Sequence, residues 1–591
     1  MAAKHSVRQS QLLTTYGPGA LLDLPEKAVI VGGLDHWNYG QKAPEAVDEA
    51  RLVAKLQSVL QRQNLQLRLP PEIQEGYGSA QKVTAFEFPN WFVSQKIEFS
   101  NGVRRRRLLH SGSLEKGKYQ DDQRQKHQVV PIRFVRACPA GHIGDIDWKA
   151  FAHGTQGANC MRNLWIEEHG TTGDLSQTLV KCDCGASQNI GAAYRTEQAM
   201  LGFCDGARPW LGSFSREDCR ERNRLLLRSA SNAYFSQTLS VISIPDTAES
   251  LNTLVAALWT QGLQLVPESM PLSLARQIPS IGNQIEAYGD VELLAAIARY
   301  RSGASPQRGI KEAEFDALCS ATADTQTEVP DGNFFARQLA TTGSVRRIGV
   351  EKIVLVHRLR EVMAQVGFTR FQPVSTDIHG ELEMDVTTAK LATDANWLPA
   401  VVNRGEGVFV QLDATAINAW ERRPAVIERG EQLRAAFARW KALHPSSPRA
   451  FPGLPYFLLH TLAHMLMQTI ALDCGYPATS LRERIYADEG KYGLLILTAA
   501  ADAQGSLGGL VQTARAIDQH LVRALSLAEL CSNDPVCSQH DPIASDHLVG
   551  AACHGCLLAP ETSCEQRNDF LDRALVVSTI DALGAEFFPR V

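Results

Sequence analysis

The sequence holds no run of about eighteen residues free of polar groups, the length a membrane span requires. Its opening residues, MAAKHSVRQSQLLTT, lack the apolar core of a signal peptide, so a soluble cytoplasmic protein is expected. A surplus of basic residues is missing as well. The net charge of −5 gives no global attraction to a polyanion, and any contact with nucleic acid has to come from a local basic patch. Catalytic signatures are equally scarce: there is no Walker A loop, no dinucleotide fingerprint, no DExx acidic motif after a strand, and no SxxK or GxSxG nucleophile. HTLAH, at residues 460–464, has no glutamate where the zinc-protease HExxH motif places its general base. Nor is the cysteine count even. Thirteen thiols without a secretory signal argue against a disulfide framework and for thiolate cages in a reducing compartment.

What is present is a long chain of ordinary globular composition. Its 591 residues, 44% hydrophobic and 21% charged, can bury a large core and exceed a single domain. The pattern predicts an α+β multidomain protein of mixed helices and short sheets with two cysteine-rich zinc regions. The expected divisions are an N-terminal α+β domain (1–129), a cysteine-rich, zinc-ribbon-like domain (130–245), a mainly helical middle domain (246–440) and a C-terminal zinc-binding domain (441–591).

The C-terminal zinc region carries the strongest spacing. In CSNDPVCSQHDPIASDHLVGAACHGCLLAPETSC, Cys553 and Cys556 form a CxxC knuckle in which one tight turn, relieved by Gly555, aims two thiolates at one ion. Cys531, Cys537 and Cys564 bring the candidates to five for four tetrahedral places, so one is a spectator. The second region starts where the strand VPIRFVRA delivers Cys138 to a turn containing Pro139 and Gly141. His142, Cys160 and the CxC pair Cys182 and Cys184 follow, and three or four of these five close one site; Cys204 and Cys219 either complete it or are structural. The competing reading is a set of buried apolar thiols. Two zinc ions are expected in all.

Elsewhere, residues 17–33 read as a turn and hairpin, 45–63 as a surface helix, and the stretch around 86–110 as strands carrying Arg104, Arg105, Arg106 and Arg107. Four consecutive arginines lie on a solvated strand or turn, or else contact phosphate. RLLLRSASNAYFSQTLSVISIP reads as a helix end and a strand; 250–318 as helical scaffold; 350–366 as an amphipathic helix ended by Gly367; GEGVFVQLD as a strand; and WERRPAVIERGEQLRAAFARW as a charged helix. Residues 456–474 form a helix apolar nearly all round, stopped by Gly475. On it, His460 and His464 stand at i and i+4. They read as buried histidines bonded to backbone or to a nearby acid; the alternative is a hydrolase in which they and an unidentified carboxylate hold a catalytic ion. GKYGLLILT is a buried strand, and a glycine-rich loop then opens a helix around Gly508 and Gly509.

The passage from HTLAH through GSLGGLV and CHGC to ETSCEQRNDFLDR resembles a zinc-binding domain found at the end of certain DNA-repair superfamily-two helicases. The longer set RQSQLLTTYGPGALLDLP, VPIRFVRACPAGHIGDIDW, LLRSASNAYFSQTLSVISIP, LREVMAQVGFTR and GEGVFVQLD is similar to the DrmB family of the DISARM phage-defence system, over nearly the whole chain. That resemblance implies a bacterial defence component; with the catalytic motifs missing, a non-catalytic, zinc-stabilised subunit is expected. Its implied partners are a helicase-like ATPase (DrmA-like), DNA held mainly through the complex, and a DNA methyltransferase working alongside. In that family the FPxW segment often carries a CxxC pair after the tryptophan; Ser94 and Ile97 stand there in this chain, so one N-terminal zinc knuckle is missing.

Overall fold

The structure, a computed structural model, describes every residue except 1–6, 25–26, 63, 73–80, 101, 155–159, 170–174, 195–199, 246–253, 256–257, 260–261, 266–271, 287–288, 302–308, 324–327, 341–342, 373–388, 446, 448, 499–508, 546 and 590–591. The chain divides into two compact units, each discontinuous in sequence: Met1–Ser240 with Met363–Ser375 and Glu383–Val401, and Val241–Val362 with Thr376–Leu382 and Val402–Val591.

In the first unit a six-stranded antiparallel sheet runs in the order Val129–Pro131, Trp91–Ser100, Val103–His110, Leu164–Glu168, Thr178–Cys182, Ser187–Asn189. Alternation sets its faces. Leu108, Leu164, Ile166 and Val180 point into a core with Phe134, Trp148 and Phe151, while Trp165 stands on the other side. The four arginines are therefore on an interior strand, third of six.

Beside it, Phe134–Ala137 pairs with Ile143–Gly144 and with Arg224–Leu227, so the segment expected to be a helix end is a strand. The hairpin expected at 17–33 forms, with Leu21–Asp23 against Ala28–Val31. Gly19, at φ +83°, leaves no room for a Cβ, which would lie 2.4 Å from the Phe368 ring. Arg370, 1% exposed, ties this unit together by donating to the carbonyls of Gly19, Gly141 and Ala233.

In the second unit, Val350–Thr369 is one 20-residue strand, not the expected helix; its residues up to Val362 belong here. Successive side chains explain the misreading. Ile353 and Leu355 enter one core with the helix Leu454–Cys474, whereas Val354, Val356 and Leu359 enter another with Phe315 and Leu318 of the helix Ile310–Cys319. A strand buried on both faces loses the apolar–polar alternation that marks a strand and reads as a continuous apolar run. Phe334–Leu339 pairs along this strand, and Lys491–Thr498 pairs with both residues 407–411 of the strand Trp397–Leu412 and Leu481–Asp488.

The helix Leu454–Cys474 matches its expected extent and ends at Gly475 in the left-handed conformation, φ +71°. The charged helical region resolves into Ala414–Glu421 and Pro424–Leu443. Short helices Ser273–Arg276, Pro279–Ile285 and Asp290–Arg301 occupy part of the stretch read as helical scaffold. The glycine-rich loop through Gly508 lies outside the described residues; the helix after it begins at Gly509. From Cys531 on, the described chain is turns and two short 3-10 helices.

Candidate metal centres

Four groups of side chains, each offering one ligand atom, bring those atoms within 4.8 Å of one another among the described residues. The five C-terminal cysteines separate. Cys531, Cys537, Cys553 and Cys556 make one cage, with Sγ–Sγ separations of 3.5 Å (Cys531–Cys553), 3.7 Å (Cys537–Cys556) and 3.8 Å (Cys553–Cys556). A tetrahedron of thiolates about 2.3 Å from a zinc ion has edges of about 3.8 Å, so the cage has the size of a zinc site. Backbone N–H groups of Asn533 and Gly555 donate to Cys531 and Cys553, the hydrogen bonding thiolates need. Hydrogen bonding from Cys556 brings the Cys537 thiol down to about 6. Cys564 is outside this cage.

The N-terminal candidates form two groups in place of one. Cys138 and His142 close the hairpin between Phe134–Ala137 and Ile143–Gly144, where Gly141 turns at φ +88°. They meet Cys204 and Cys219: Cys138 Sγ lies 3.3 Å from His142 Nδ1 and 3.9 Å from Cys219 Sγ. Glu217 holds the far ring nitrogen of His142 at 2.7 Å, as a carboxylate behind a metal-bound histidine does. The Cys138 thiol, together with His142 and the Gly206 N–H, draws Cys204 down to about 4. Gly206 turns at φ +66° where a Cβ would strike the Glu217 carbonyl at 1.6 Å.

Cys160, Cys182 and Cys184 join His153 at the end of the six-stranded sheet. Cys160 and Cys182 are 3.6 Å apart, and His153 Nε2 is 3.1 Å from Cys184 Sγ. His153 Nδ1 donates to the Lys149 carbonyl at 2.8 Å, which leaves Nε2 to face the thiols. The backbone N–H of Ala186 is the main influence bringing Cys184 to about 7. His153 was not a sequence candidate. The signal for it was faint: it ends the short helix Trp148–His153, capped by Asp147, seven residues before Cys160.

The fourth group is His460, His464, Glu483 and Cys564, all buried. Both histidines are 0% exposed and bond to backbone and to an acid, as expected: Nδ1 of each reaches a carbonyl, Phe570 at 3.3 Å and Leu557 at 2.8 Å, and Nε2 of each lies beside Glu483 at 2.8 Å and 3.3 Å. Glu483, on the strand Leu481–Asp488, is the carboxylate that sequence alone left unidentified.

Arg104 to Arg107 are mostly engaged within the sheet. Arg105 stacks on Trp165, 3.9 Å from the ring centroid, with Glu98 at 3.6 Å and Asp183 at 3.9 Å. Arg106 pairs with Glu168 at 2.9 Å; Arg107 lies over Trp165 at 5.1 Å, its burial lowering its pKa. Arg104 is exposed.

Residues 462–557 match the MrfA Zn-binding domain, and residues 8–235 match a domain of unknown function (DUF8724). A zinc-binding domain that contains the four-cysteine cage, with further thiol groups elsewhere in the chain, marks the protein as one that uses zinc. The DISARM protein DrmB of Bacillus paralicheniformis is 30% identical over 523 residues, 85% of this chain and 90% of that protein. The chain belongs to the DrmB family of DISARM proteins. No helix among the described residues is long and apolar enough to cross a membrane.

Proposed function

We propose that this chain is a non-catalytic, zinc-stabilised subunit of a bacterial anti-phage complex, which binds a helicase-like ATPase and helps it hold DNA in the cytoplasm. The near-full-length likeness to a DISARM protein is the observation that carries the reading. In it, Cys531, Cys537, Cys553 and Cys556 hold one zinc, Cys138, His142, Cys204 and Cys219 a second, and His153, Cys160, Cys182 and Cys184 a third. Each set supplies four protein ligands. A filled tetrahedron has no position for water or substrate, so such ions stabilise loops and do not catalyse.

Co-expression with a DrmA-like helicase ATPase tests the assembly. A stable complex on size exclusion, binding duplex DNA more tightly than either protein alone and less tightly as salt rises, is the expected result. Two proteins that elute separately, or an affinity indifferent to salt, would overturn the proposal. Hydrolase activity in the isolated chain that His460→Ala abolishes would favour a catalytic reading.

A further inference from the structure

We infer that His460, His464, Glu483 and Cys564 form a separate, wholly enclosed zinc site that fastens the apolar helix to the sheet and to the C-terminal segment. The geometry fixes the ring chemistry. Carbonyl oxygens only accept, so the Nδ1 atoms that face Phe570 O and Leu557 O carry the hydrogens, and each neutral ring presents its Nε2 lone pair inward. Inward lie the Glu483 carboxylate, which only accepts, 2.8 Å from His460 Nε2, and the Cys564 sulfur, whose one weak S–H cannot serve both rings, 3.1 Å from the same atom. Backbone N–H groups of Glu565 and Asn568 already donate to Glu483 and Cys564, as they would to a carboxylate and a thiolate.

Lone pairs converging in a pocket without solvent need a positive charge among them. Protonating both rings would set two like charges with centroids 4.7 Å apart. With the rings neutral, Glu483 Oε2, 3.3 Å from His464 Nε2, is buried without a hydrogen-bond partner. A divalent ion answers each point: two neutral imidazoles, one carboxylate and one thiolate around it sum to zero charge. Mixed nitrogen, oxygen and sulfur ligands in a four-membered set suit zinc. The site joins the helix Leu454–Cys474, the strand Leu481–Asp488 and the segment around Cys564. It gives Cys564 its own ion, apart from the four-cysteine cage, and the inference does not rest on the defence role.

Anomalous diffraction from crystals of the unaltered full chain, recorded on either side of the zinc edge, is the test. A zinc peak among the four side chains is expected. Glu483→Gln should lower zinc by one equivalent per chain. No peak there, a peak at a different metal's edge, or a folded Glu483→Gln protein with full zinc content would each overturn the assignment; the map needs no variant, so misfolding of Glu483→Gln cannot blur the outcome.

Discussion

If the complex binds DNA through phosphate contacts, each arginine that reaches a phosphate contributes about 0.9 to the slope of log affinity against log salt. Four free arginines at 104–107 would together contribute about 3.6. The structure predicts much less. Arg105 and Arg106 are held by Glu98, Asp183 and Glu168, and Arg107 is covered by Trp165 and Tyr119, which leaves exposed Arg104 as the residue best placed to reach outward. Arg104→Ala should therefore reduce the slope by at most about 0.9. Adding Arg105→Ala, Arg106→Ala and Arg107→Ala should reduce it little further, while costing stability: about 0.5–1 kcal/mol for each exposed stack and about 0.2–1 kcal/mol for each ion pair. Fluorescence anisotropy of a labelled duplex with the assembled complex over a salt series measures the slope, and thermal melting of the subunit measures the cost. A fall in slope near 3.6 in the quadruple variant, with an unchanged melting midpoint, would refute the view that these arginines belong to the sheet.

Cys553→Ser with Cys556→Ser should release one zinc per chain and unfold the C-terminal segment, because structural zinc binding of about 10–16 kcal/mol is comparable to the whole stability of a domain; elemental analysis and circular dichroism check it. Glu314, 0% exposed, pairs with Arg484 at 2.6 Å and accepts the Ile242 N–H. Glu314→Ala, by removing the carboxylate from this buried pair, should cost about 3–5 kcal/mol in denaturant unfolding. Asp121 accepts from Lys96 and pairs with His127, which together hold its carboxyl below the usual range. A depressed folded-state pKa stabilises above the unfolded value of about 3.9 and is lost below it. The gap in melting temperature between the native chain and Asp121→Asn should be full near neutral pH and shrink as the pH falls below about 4.

Most of the cysteines and histidines that converge were named from the sequence, but how they partition was not. Spacing along the chain identifies a CxxC or CxC turn because both ligands share one loop, as Cys553 and Cys556 or Cys182 and Cys184 do. It says nothing about which distant residue completes the set. Cys138 follows the strand Phe134–Ala137 while Cys182 ends a strand of a different sheet, so one expected site is two groups, and His153 and Glu483 became ligand candidates only when a helix end and a strand were placed beside thiols. The apolar helix 454–474 was readable because a helix buried on most sides shows an uninterrupted run, punctuated by Gly475. The strand from Val350 was not, since burial on both faces erases its period.

The same distinction bears on what the protein does. A catalytic ion keeps an open coordination position and a route for substrate, and its ligands surround a cleft. The groups here are arranged differently: each has four ligand atoms converging, and the one set that contains the carboxylate and paired histidines of a hydrolase is also the most deeply buried, with every member inside the core and both rings at 0% exposure. In the site inferred above, enclosure would remove the water that such chemistry consumes, and the charge balance would favour retention of an ion as a permanent part of the fold. In the proposed reading the ions hold irregular segments, among them the turn-rich chain after Cys531, in one shape. Such segments are what a subunit can present to partners, because loops fixed by ligands keep their conformation without a helix or strand of their own.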